Sequence, residues 1–300
     1  MQILIIGKNG QVATHLSCAA MQHDYKITQV SSDQFDLSSK ASILSFLEDY
    51  EASSENSEEK IIINAGAYTN VEEAEVEIER AFQINAVAPG IIASFAKDHG
   101  YKLIHYSTDY VFDGTKNSPY LEEDIPRPIN QYGKSKLAGE QNIILSGCDY
   151  IIFRTSWVFS YTGMNFVKKI INLLQNNNEI KVINDQIGMP TYAGFIADMT
   201  FKLLETKKIN KEILNICQPK AVSWYGFAQR IKEGLEKKGI KTASIMPVDS
   251  SVFKTKASRP KNSVLSLIKL NKIIDDYPIP SWDSSLDEII DIIMKNENTI

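Results

Sequence analysis

Tyr132 and Lys136 lie four residues apart in the stretch QYGKSKLAGE, residues 131–140. Side chains at this spacing share one face of a helix, so a phenol and an ammonium here would point into the same space. A phenol has a pKa of ~10 and gives up its proton reluctantly at neutral pH, and a nearby ammonium makes that step easier. The pair therefore suits proton transfer in a buried site, although many ordinary solvent-facing helices carry the same spacing.

Three polar residues end the strand-like segment KLIHYSTDYVF. They are Ser107, Thr108 and Asp109. Doubly wound sheets bind their ligands at the carboxyl ends of the strands, which is where these side chains would lie. Together with Tyr132 and Lys136 from the helix that follows, Thr108 completes a set of side chains. The set predicts acid–base catalysis on a carbonyl group.

A glycine-rich turn follows the first apolar segment of the chain. The stretch GKNGQVA places Gly7, Gly10 and Ala13 three residues apart. Glycine at the first two positions permits a tight turn and a close approach of backbone amides to a pyrophosphate, which the N-terminus of the next helix attracts. Two glycines in a turn are weak evidence alone. At the start of an alternating strand and helix series they predict a dinucleotide site, with the small residues 65–67 close to the cofactor.

The end of the second predicted strand bears on the choice of cofactor. An acidic residue there would bind a free ribose 2′-hydroxyl and repel a 2′-phosphate, but this sequence has Ser31 and Ser32. NADPH is therefore permitted, and since no arginine demands it, NADH stays open as well.

A bound cofactor would also affect the acidity of Tyr132. A positively charged nicotinamide and Lys136 could together lower the pKa of Tyr132 by about three units, which corresponds to roughly 4 kcal/mol of extra stabilisation of the phenolate.

Strand-like and helix-like segments alternate through the first half of the chain, and the strands are almost continuously apolar. This pattern is typical of a parallel sheet buried on both faces. We therefore predict an α/β fold, a Rossmann-type doubly wound parallel sheet with a smaller substrate-binding cap domain. Residues 1–158 are the predicted NAD(P)-binding domain. Residues 159–300 are mainly the substrate-binding domain, with segments that return to the main sheet. Residues 76–100 are predicted as one helix, and residues 51–60 as a surface loop.

The composition excludes several classes of protein. The 32 basic and 37 acidic side chains give a net charge of −5, which argues against nucleic acid or an anionic membrane as the main partner. Cys18, Cys148 and Cys217 form no metal-binding spacing. No apolar segment approaches the ~20 residues that a membrane span needs. The sequence is therefore interpreted as that of a cytoplasmic protein with no nucleic-acid or membrane partner.

Motifs along nearly the whole chain resemble those of one enzyme family. The pattern of Thr108, Tyr132 and Lys136 is the signature of the short-chain dehydrogenase/reductase superfamily. Within it, the order and spacing of GKNGQV, DLSS, INAGAYTNVEEAE, HYSTDYVFDG, YGKSKLAGE, RTSWVF, VINDQIGMPT and SRPKNS are similar to those of dTDP-4-dehydrorhamnose reductases. The resemblance implies NADPH- or NADH-dependent reduction of the 4-keto group of dTDP-4-dehydro-L-rhamnose to dTDP-L-rhamnose. That reaction is the last step in making this precursor of cell-surface polysaccharides such as the lipopolysaccharide O-antigen.

The resemblance also implies roles for individual residues. Those that would line the cofactor are Gly7, Gly10, Gln11, Val12, Asp36, Leu37, Ala65, Gly66, Ala67, Tyr106, Tyr132 and Lys136. Tyr132 would donate the proton, while Lys136 would hold the ribose and tune Tyr132. Those that would contact the sugar nucleotide are Thr108, Asp109, Trp157 and Arg259. Arg259 is the candidate for the substrate pyrophosphate because a guanidinium can fork onto phosphate oxygens.

A magnesium site is one property of the family that this sequence does not support. Some members hold the ion at a dimer interface with two glutamates, at positions where this chain has His15 and Gly194. A hard cation prefers carboxylate oxygens, so magnesium is disfavoured here, and so is the homodimer that it supports. A homodimer held in another way stays open.

Two other functions are compatible with the same motifs. A related nucleotide-sugar dehydratase or epimerase is one, but a dehydratase of this superfamily typically has an Asp-Glu pair after the Ser or Thr, and Asp109 is followed by Tyr110. A catalytically silent, nucleotide-binding regulatory subunit is the other. The intact Thr108, Tyr132 and Lys136 argue against it.

Overall fold

A computed structural model describes residues 1–21, 23, 25–53, 59–275 and 277–297 of the chain. The strands are β1 (Gln2–Ile6), β2 (Lys26–Val30), β3 (Lys60–Asn64), β4 (Lys102–Thr108), β5 (Asp149–Thr155), β6 (Val158–Phe159), β7 (Glu179–Ile183), β8 (Ile187–Gly188), β9 (Thr191–Tyr192), β10 (Glu212–Asn215), β11 (Val222–Ser223) and β12 (Ser244–Val248). The helices are α1 (Gln11–Ala20), α2 (Lys40–Ala52), α3 (Ile78–Phe82), α4 (Ala88–Asp98), α5 (Gln131–Ser146), α6 (Phe166–Asn176), α7 (Ala193–Thr206), α8 (Trp224–Glu236), α9 (Ile268–Ile273) and α10 (Trp282–Glu297). Half of the predicted surface loop at 51–60, residues 54–58, lies outside the described residues, whereas residues 51–52 end α2 and residue 60 begins β3.

Six parallel strands form the main sheet in the order β10-β5-β4-β3-β1-β2. The central strands are rich in isoleucine and buried, which suits a sheet covered on both faces. The strand order reverses between β1 and β3, and open α/β sheets bind ligands at such a switch point. The predicted α/β class with a doubly wound parallel sheet is confirmed.

Two layers of helices cover the two faces of the sheet, and each forms an apolar cluster with it. A third apolar cluster lies away from the sheet. One layer contains α1 and α7, and the other contains α2 and α4. The third cluster is built from α6, α8 and α10 around buried residues such as Phe227 and Leu286. Strand β10 and helix α7 come from the second half of the chain but belong to the main sheet and its core. The proposed domain boundary between residues 158 and 159 stays a prediction.

The predicted single helix of residues 76–100 contains a π-helical turn. A π-helical turn at Gln83–Val87 separates α3 from α4. Pro89 lies in the first turn of α4 and has no amide hydrogen to donate to the carbonyl of Asn85, four residues earlier. The chain stays helical without a break from residue 78 to residue 98, so the predicted helix is present with narrower bounds, and Pro89 accounts for the π-helical turn within it.

Two predicted strands are shorter than expected. Strand β4 ends at Thr108, and Asp109–Val111 forms a 3₁₀ turn. Strand β5 ends at Thr155, and Trp157 has a left-handed backbone with φ of 46° before the short strand β6 begins. In both places the chain turns at the carboxyl edge of the sheet, where functional side chains are expected. Within the described residues, no helix is long and apolar enough to cross a membrane.

Candidate active site

A cleft of about 390 Å³ opens at the switch point of the sheet. The predicted cofactor residues that line it are Gly7, Gly10, Gln11, Val12, Ala65, Gly66, Ala67, Tyr106, Tyr132 and Lys136. The structure thus brings together the glycine-rich turn, the end of β3, the end of β4 and the first turns of α5. These segments are far apart in sequence and meet because parallel strands end at one edge.

The glycine-rich turn has the geometry of a phosphate cradle. Gly7 has a φ of +107°, which side chains rarely adopt, and a Cβ there would lie 2.9 Å from the amide nitrogen of Gly66. Helix α1 begins at Gln11, and its first turn, Gln-Val-Ala-Thr, carries no acidic side chain. The first amides of a helix have no partner within the helix and favour an anion. The residues present therefore fit a dinucleotide.

Two predicted cofactor residues lie beside the cleft. The Asp36 carboxylate accepts from the amide and hydroxyl of Ser38, at 2.8 and 2.7 Å, and these hydrogen bonds lower the pKa of Asp36. The side chain of Leu37 lies against Gly66, where it backs the cleft. The role of Asp36 and Leu37 in cofactor binding stays a prediction.

Close backbone contacts fix the part of helix α5 that carries Tyr132 and Lys136. Its N-cap, Asn130, accepts from the amide of Gly133 at 2.7 Å. A Cβ at Gly133 would lie 2.2 Å from the carbonyl oxygen of Tyr110, and one at Gly139 would lie 2.1 Å from that of Asn85. The two glycines lower helix propensity but let α5 lie directly against the neighbouring backbone. The helix face of Tyr132 and Lys136 is therefore a wall of the cleft.

Lys136 is almost fully buried, at 2% exposure. Its Nζ donates to the carbonyl oxygen of Tyr106 at 2.5 Å and lies 3.3 Å from Nε2 of His105. Burial lowers the pKa of Lys136 to about 8, although the carboxylate of Glu140, one turn further along α5, opposes the shift. The charge of Lys136 is therefore lost at a pH only slightly above neutrality.

Tyr132 is a protonated phenol in this structure. Burial raises its pKa to about 12, the hydroxyl of Thr108 lowers it through a hydrogen bond, and the carboxylate of Asp109 raises it. The ring of Tyr110 packs edge-on against it at 5.9 Å. The sequence led us to expect a lowered pKa, which depends on a positively charged nicotinamide. In the protein alone, burial outweighs the hydrogen bond of Thr108, and a proton stays available on Tyr132.

Asp109 directly follows Thr108 at the end of β4 and is 2% exposed. Its carboxylate accepts from the hydroxyls of Thr108 and Ser156, each at 3.0 Å, and from that of Ser263. Burial raises the pKa of Asp109 to about 6, and these hydroxyls oppose the shift. Thr108 therefore connects Tyr132 to a buried carboxyl group. The predicted contact of Thr108 and Asp109 with the sugar stays a prediction.

Trp157 stands at the rim of the cleft next to Val158, which lines it. Its ring stacks on that of Trp224 with a centroid distance of 3.4 Å and an interplanar angle of 3°. A Cβ at Gly188 would lie 2.4 Å from the Trp157 ring. The left-handed backbone of Trp157 is a strained conformation for an aromatic residue, and such strain concentrates at binding sites.

Arg259 is engaged by neighbouring side chains. Its Nη2 lies 2.6 Å from a carboxylate oxygen of Glu72, and it hydrogen-bonds the phenol of Tyr110. A substrate pyrophosphate at this position would have to compete with Glu72 for the guanidinium. The contact of Arg259 with the substrate stays a prediction.

Aromatic rings surround His15 and Gly194, the two positions at which the sequence does not support a magnesium site. His15 is 5% exposed, donates to or accepts from the Ser160 hydroxyl at 2.9 Å, and lies between the rings of Tyr161 and Tyr192. Burial lowers its pKa to about 4, so the ring is neutral. Beside Gly194 the ring of Tyr192 occupies the space of a side chain. This neutral, aromatic surrounding does not fit a hard cation.

Comparison with known proteins identifies the family. The family model described as RmlD substrate binding domain matches residues 1–295. A dTDP-4-dehydrorhamnose reductase of Burkholderia thailandensis is 36% identical over 295 residues, 94% of this chain and 95% of that relative. The chain belongs to the dTDP-4-dehydrorhamnose reductase family. The family resemblance predicted from the motifs is thereby confirmed.

Solved structures agree with this family. The dTDP-4-dehydrorhamnose reductase of Bacillus anthracis, crystallised in complex with NADP, has a TM-score of 0.85 and 33% identity, and the match covers 96% of this chain and 98% of that one. The reductase-family protein of Clostridium acetobutylicum has a TM-score of 0.88 and 31% identity over 98% of this chain and 100% of that one.

The sequence analysis missed several residues of the site. The further residues that line the cleft are Asn9, Ser32, Thr69, Ser107, Thr155, Val158 and Gly163. Asn9 lies inside the motif GKNGQVA, and Ser32 and Ser107 had been noted at the ends of their strands without being named as cofactor residues. Gly163 comes from a loop that no motif marks. His105 lies inside the motif HYSTDYVFDG but was given no role there, and its ring contacts Lys136.

Proposed function

We propose that this protein reduces the 4-keto group of dTDP-4-dehydro-L-rhamnose to dTDP-L-rhamnose with NADPH or NADH. The observation that carries the proposal is the hydrogen-bonded series of Tyr132, Thr108 and Asp109 beside a cleft with a dinucleotide cradle. Membership of the reductase family supports the choice of substrate. The proposal includes a cytoplasmic location, which rests on the sequence alone, and a homodimer without magnesium stays a prediction.

The chain's own residues would provide the acid–base chemistry. NADPH or NADH, when bound, supplies the hydride. Tyr132 is protonated at neutral pH and would give its proton to the oxygen at C4 of the sugar as negative charge develops there. Thr108 holds the phenol in place, and the ammonium of Lys136 would stabilise the phenolate that results. Trp157 would cover one side of the sugar nucleotide.

The dehydratase alternative has less support. Elimination of water typically needs two carboxyl groups after the Ser or Thr of this superfamily. Here Asp109 is buried among hydroxyls, and Tyr110, the next residue, contributes a phenol whose pKa burial raises strongly. A catalytically silent regulatory subunit would not need a proton donor such as Tyr132 that is connected by hydrogen bonds through Thr108 to Asp109.

Cofactor oxidation by the purified protein tests the proposal. We expect loss of NAD(P)H absorbance only when enzymatically made dTDP-4-dehydrorhamnose is present, with dTDP-rhamnose as the product. Elimination products or a C4 or C5 epimer without cofactor consumption would point to the dehydratase or epimerase alternative. Cofactor binding without any turnover would point to the regulatory subunit.

A further inference from the structure

His105 lies in the middle of strand β4 and is 1% exposed. Nδ1 of its ring is 3.2 Å from the side-chain nitrogen of Asn64, at the end of β3. Nε2 is 3.3 Å from Nζ of Lys136, on helix α5. The imidazole therefore joins the catalytic lysine to a neighbouring strand.

The orientation of the Asn64 amide is determined by a backbone group. The amide N–H of Gly66 lies 3.2 Å from Oδ1 of Asn64. A backbone N–H can only donate, so the oxygen of the Asn64 amide must face it. The Asn64 NH₂ group then faces Nδ1 of His105 and donates to it. Since Nδ1 accepts, the single proton of a neutral imidazole must be on Nε2.

This tautomer has a consequence for Lys136. The Nε2–H group of His105 points at Nζ, and it needs an acceptor there. A lysine amine has a lone pair that can accept, whereas an ammonium has three donors and no acceptor. Hydrogen bonds run in series from Gly66 through Asn64 and His105 to Lys136. Every donor in this series has an acceptor only when Lys136 is uncharged. Buried donors that face each other without an acceptor destabilise the arrangement.

We propose that Asn64 fixes the proton of His105 on Nε2, and that His105 thereby acts as a positioning residue that sets the pH at which Lys136 loses its charge. In its consequence for catalysis the inference rests on the proposed function, because it is the ammonium of Lys136 that stabilises the Tyr132 phenolate. The tautomer itself does not depend on any activity.

The other groups that face Lys136 do not provide this bias. The Glu140 carboxylate on α5 favours the charged lysine, but Ser107 and Arg154 already donate to it. The carbonyl oxygen of Tyr106 on β4 accepts from either form of the lysine. The phenol of Tyr132, on the same helix, is neutral.

His105 carries no charge of its own in this arrangement. Burial and the nearby Lys136 hold the pKa of His105 well below its usual range. On its other side stands Asn64 of β3, which is uncharged. The effect of His105 on Lys136 is therefore exerted through the position of one proton.

Nitrogen NMR of the whole protein tests the tautomer directly. Histidine is labelled with ¹⁵N, and the spectrum of His105 is assigned by its loss in His105→Phe, since the chain has 4 histidines. We expect Nε2 to carry the proton and Nδ1 to have the chemical shift of an unprotonated nitrogen across neutral pH. A proton on Nδ1 would overturn the proposal whatever the protein's activity.

The variant Asn64→Asp tests the effect on Lys136. A carboxylate accepts from both Gly66 and His105, so the proton of His105 moves to Nδ1 and Nε2 becomes an acceptor for the ammonium. We expect the titration of Lys136, followed by the ¹³Cε shift of labelled lysine, to move at least one pH unit higher. In an active enzyme the alkaline limb of kcat/KM should move equally. An unchanged titration contradicts the proposal.

The double variant Asn64→Asp with His105→Phe separates the proton relay from the added charge. It keeps the new carboxylate but removes the imidazole, and we expect less than half of the shift seen in Asn64→Asp. An equal shift in both variants would mean that the carboxylate acts through space, which overturns the role of His105. If the double variant does not fold, the tautomer measurement on the unmodified protein still decides. A confirmed tautomer in a protein that reduces no sugar would reject the proposed function alone.

Discussion

Glu140 and Arg154 form a two-point ion pair in the interior of the protein. The Arg154 Nε and Nη2 atoms donate to separate carboxylate oxygens at 2.9 and 2.6 Å, and the two side chains are 1% and 2% exposed. Ser107 also donates to Glu140, at 2.5 Å. The pair ties α5, which carries Tyr132 and Lys136, to strands β4 and β5.

The variant Arg154→Met should be strongly destabilised. It leaves the Glu140 carboxylate buried without its cation, and breaking a buried pair in this way costs about 3–5 kcal/mol. Urea unfolding followed by circular dichroism measures the loss. The double variant Glu140→Leu with Arg154→Met removes both charges and should lose less stability than Arg154→Met alone. An equal or larger loss in the double variant would contradict this account.

The variant Tyr132→Phe should lose activity without losing the fold. It removes one hydroxyl group that would act as the proton donor, so turnover should fall by about 10²-fold or more. Steady-state kinetics with dTDP-4-dehydrorhamnose measure the fall, and fluorescence titration with NADPH should find binding within a few-fold of normal. Near-normal turnover would exclude Tyr132 as the donor.

The variant Asp109→Asn should change how stability depends on pH. The pKa of Asp109 is about 6 in the folded protein and 3.8 in a model peptide, so the fold favours the protonated carboxyl. That contribution is complete below pH ~4 and is lost as pH rises through about 6. The asparagine is neutral throughout, so relative to the unmodified protein it should gain roughly 2–3 kcal/mol between pH 4 and pH 7.5.

Urea unfolding at the two pH values checks the Asp109→Asn prediction. A pH-independent effect of Asp109→Asn would mean that the carboxyl of Asp109 is already ionised well below pH 6 in the folded protein.

The variant Gly188→Ala should displace the ring of Trp157. The new Cβ would lie 2.4 Å from that ring, which cannot move away because it is stacked on Trp224. We expect KM for the sugar nucleotide to rise about 10-fold, equivalent to ~1.4 kcal/mol, with KM for NADPH unchanged. The control Gly90→Ala, on α4, should alter neither constant. A rise in KM for NADPH instead would assign Trp157 to the cofactor.

Removal of divalent cations should leave the enzyme unaffected. His15 lies in an aromatic cluster with Tyr161 and Tyr192, and at Gly194 no side chain is available to bind an ion. Activity and the midpoint of thermal unfolding should be the same after dialysis against EDTA as before. A loss that magnesium restores would contradict the prediction.

Much of the cofactor side of the site could be predicted from local sequence. The glycine-rich turn at Gly7 and Gly10 and the spacing of Tyr132 and Lys136 need only the geometry of a turn and of a helix. The expected lowering of the Tyr132 pKa was not found in the protein alone, because burial and Asp109 depend on how distant segments pack. The hydroxyls of Ser156 and Ser263 that surround Asp109 also come from distant segments, so the local sequence did not indicate them.

The order of strands and helices, the family, and the face that Tyr132 shares with Lys136 could be inferred before folding was considered, because they follow from periodicity and from contiguous motifs. The groups that control those side chains depend instead on how distant segments pack. Asn64 and His105 are 41 residues apart, and nothing in their local sequence links them. They meet because β3 and β4 are neighbours in a parallel sheet, and it is this register that brings an imidazole proton to Lys136.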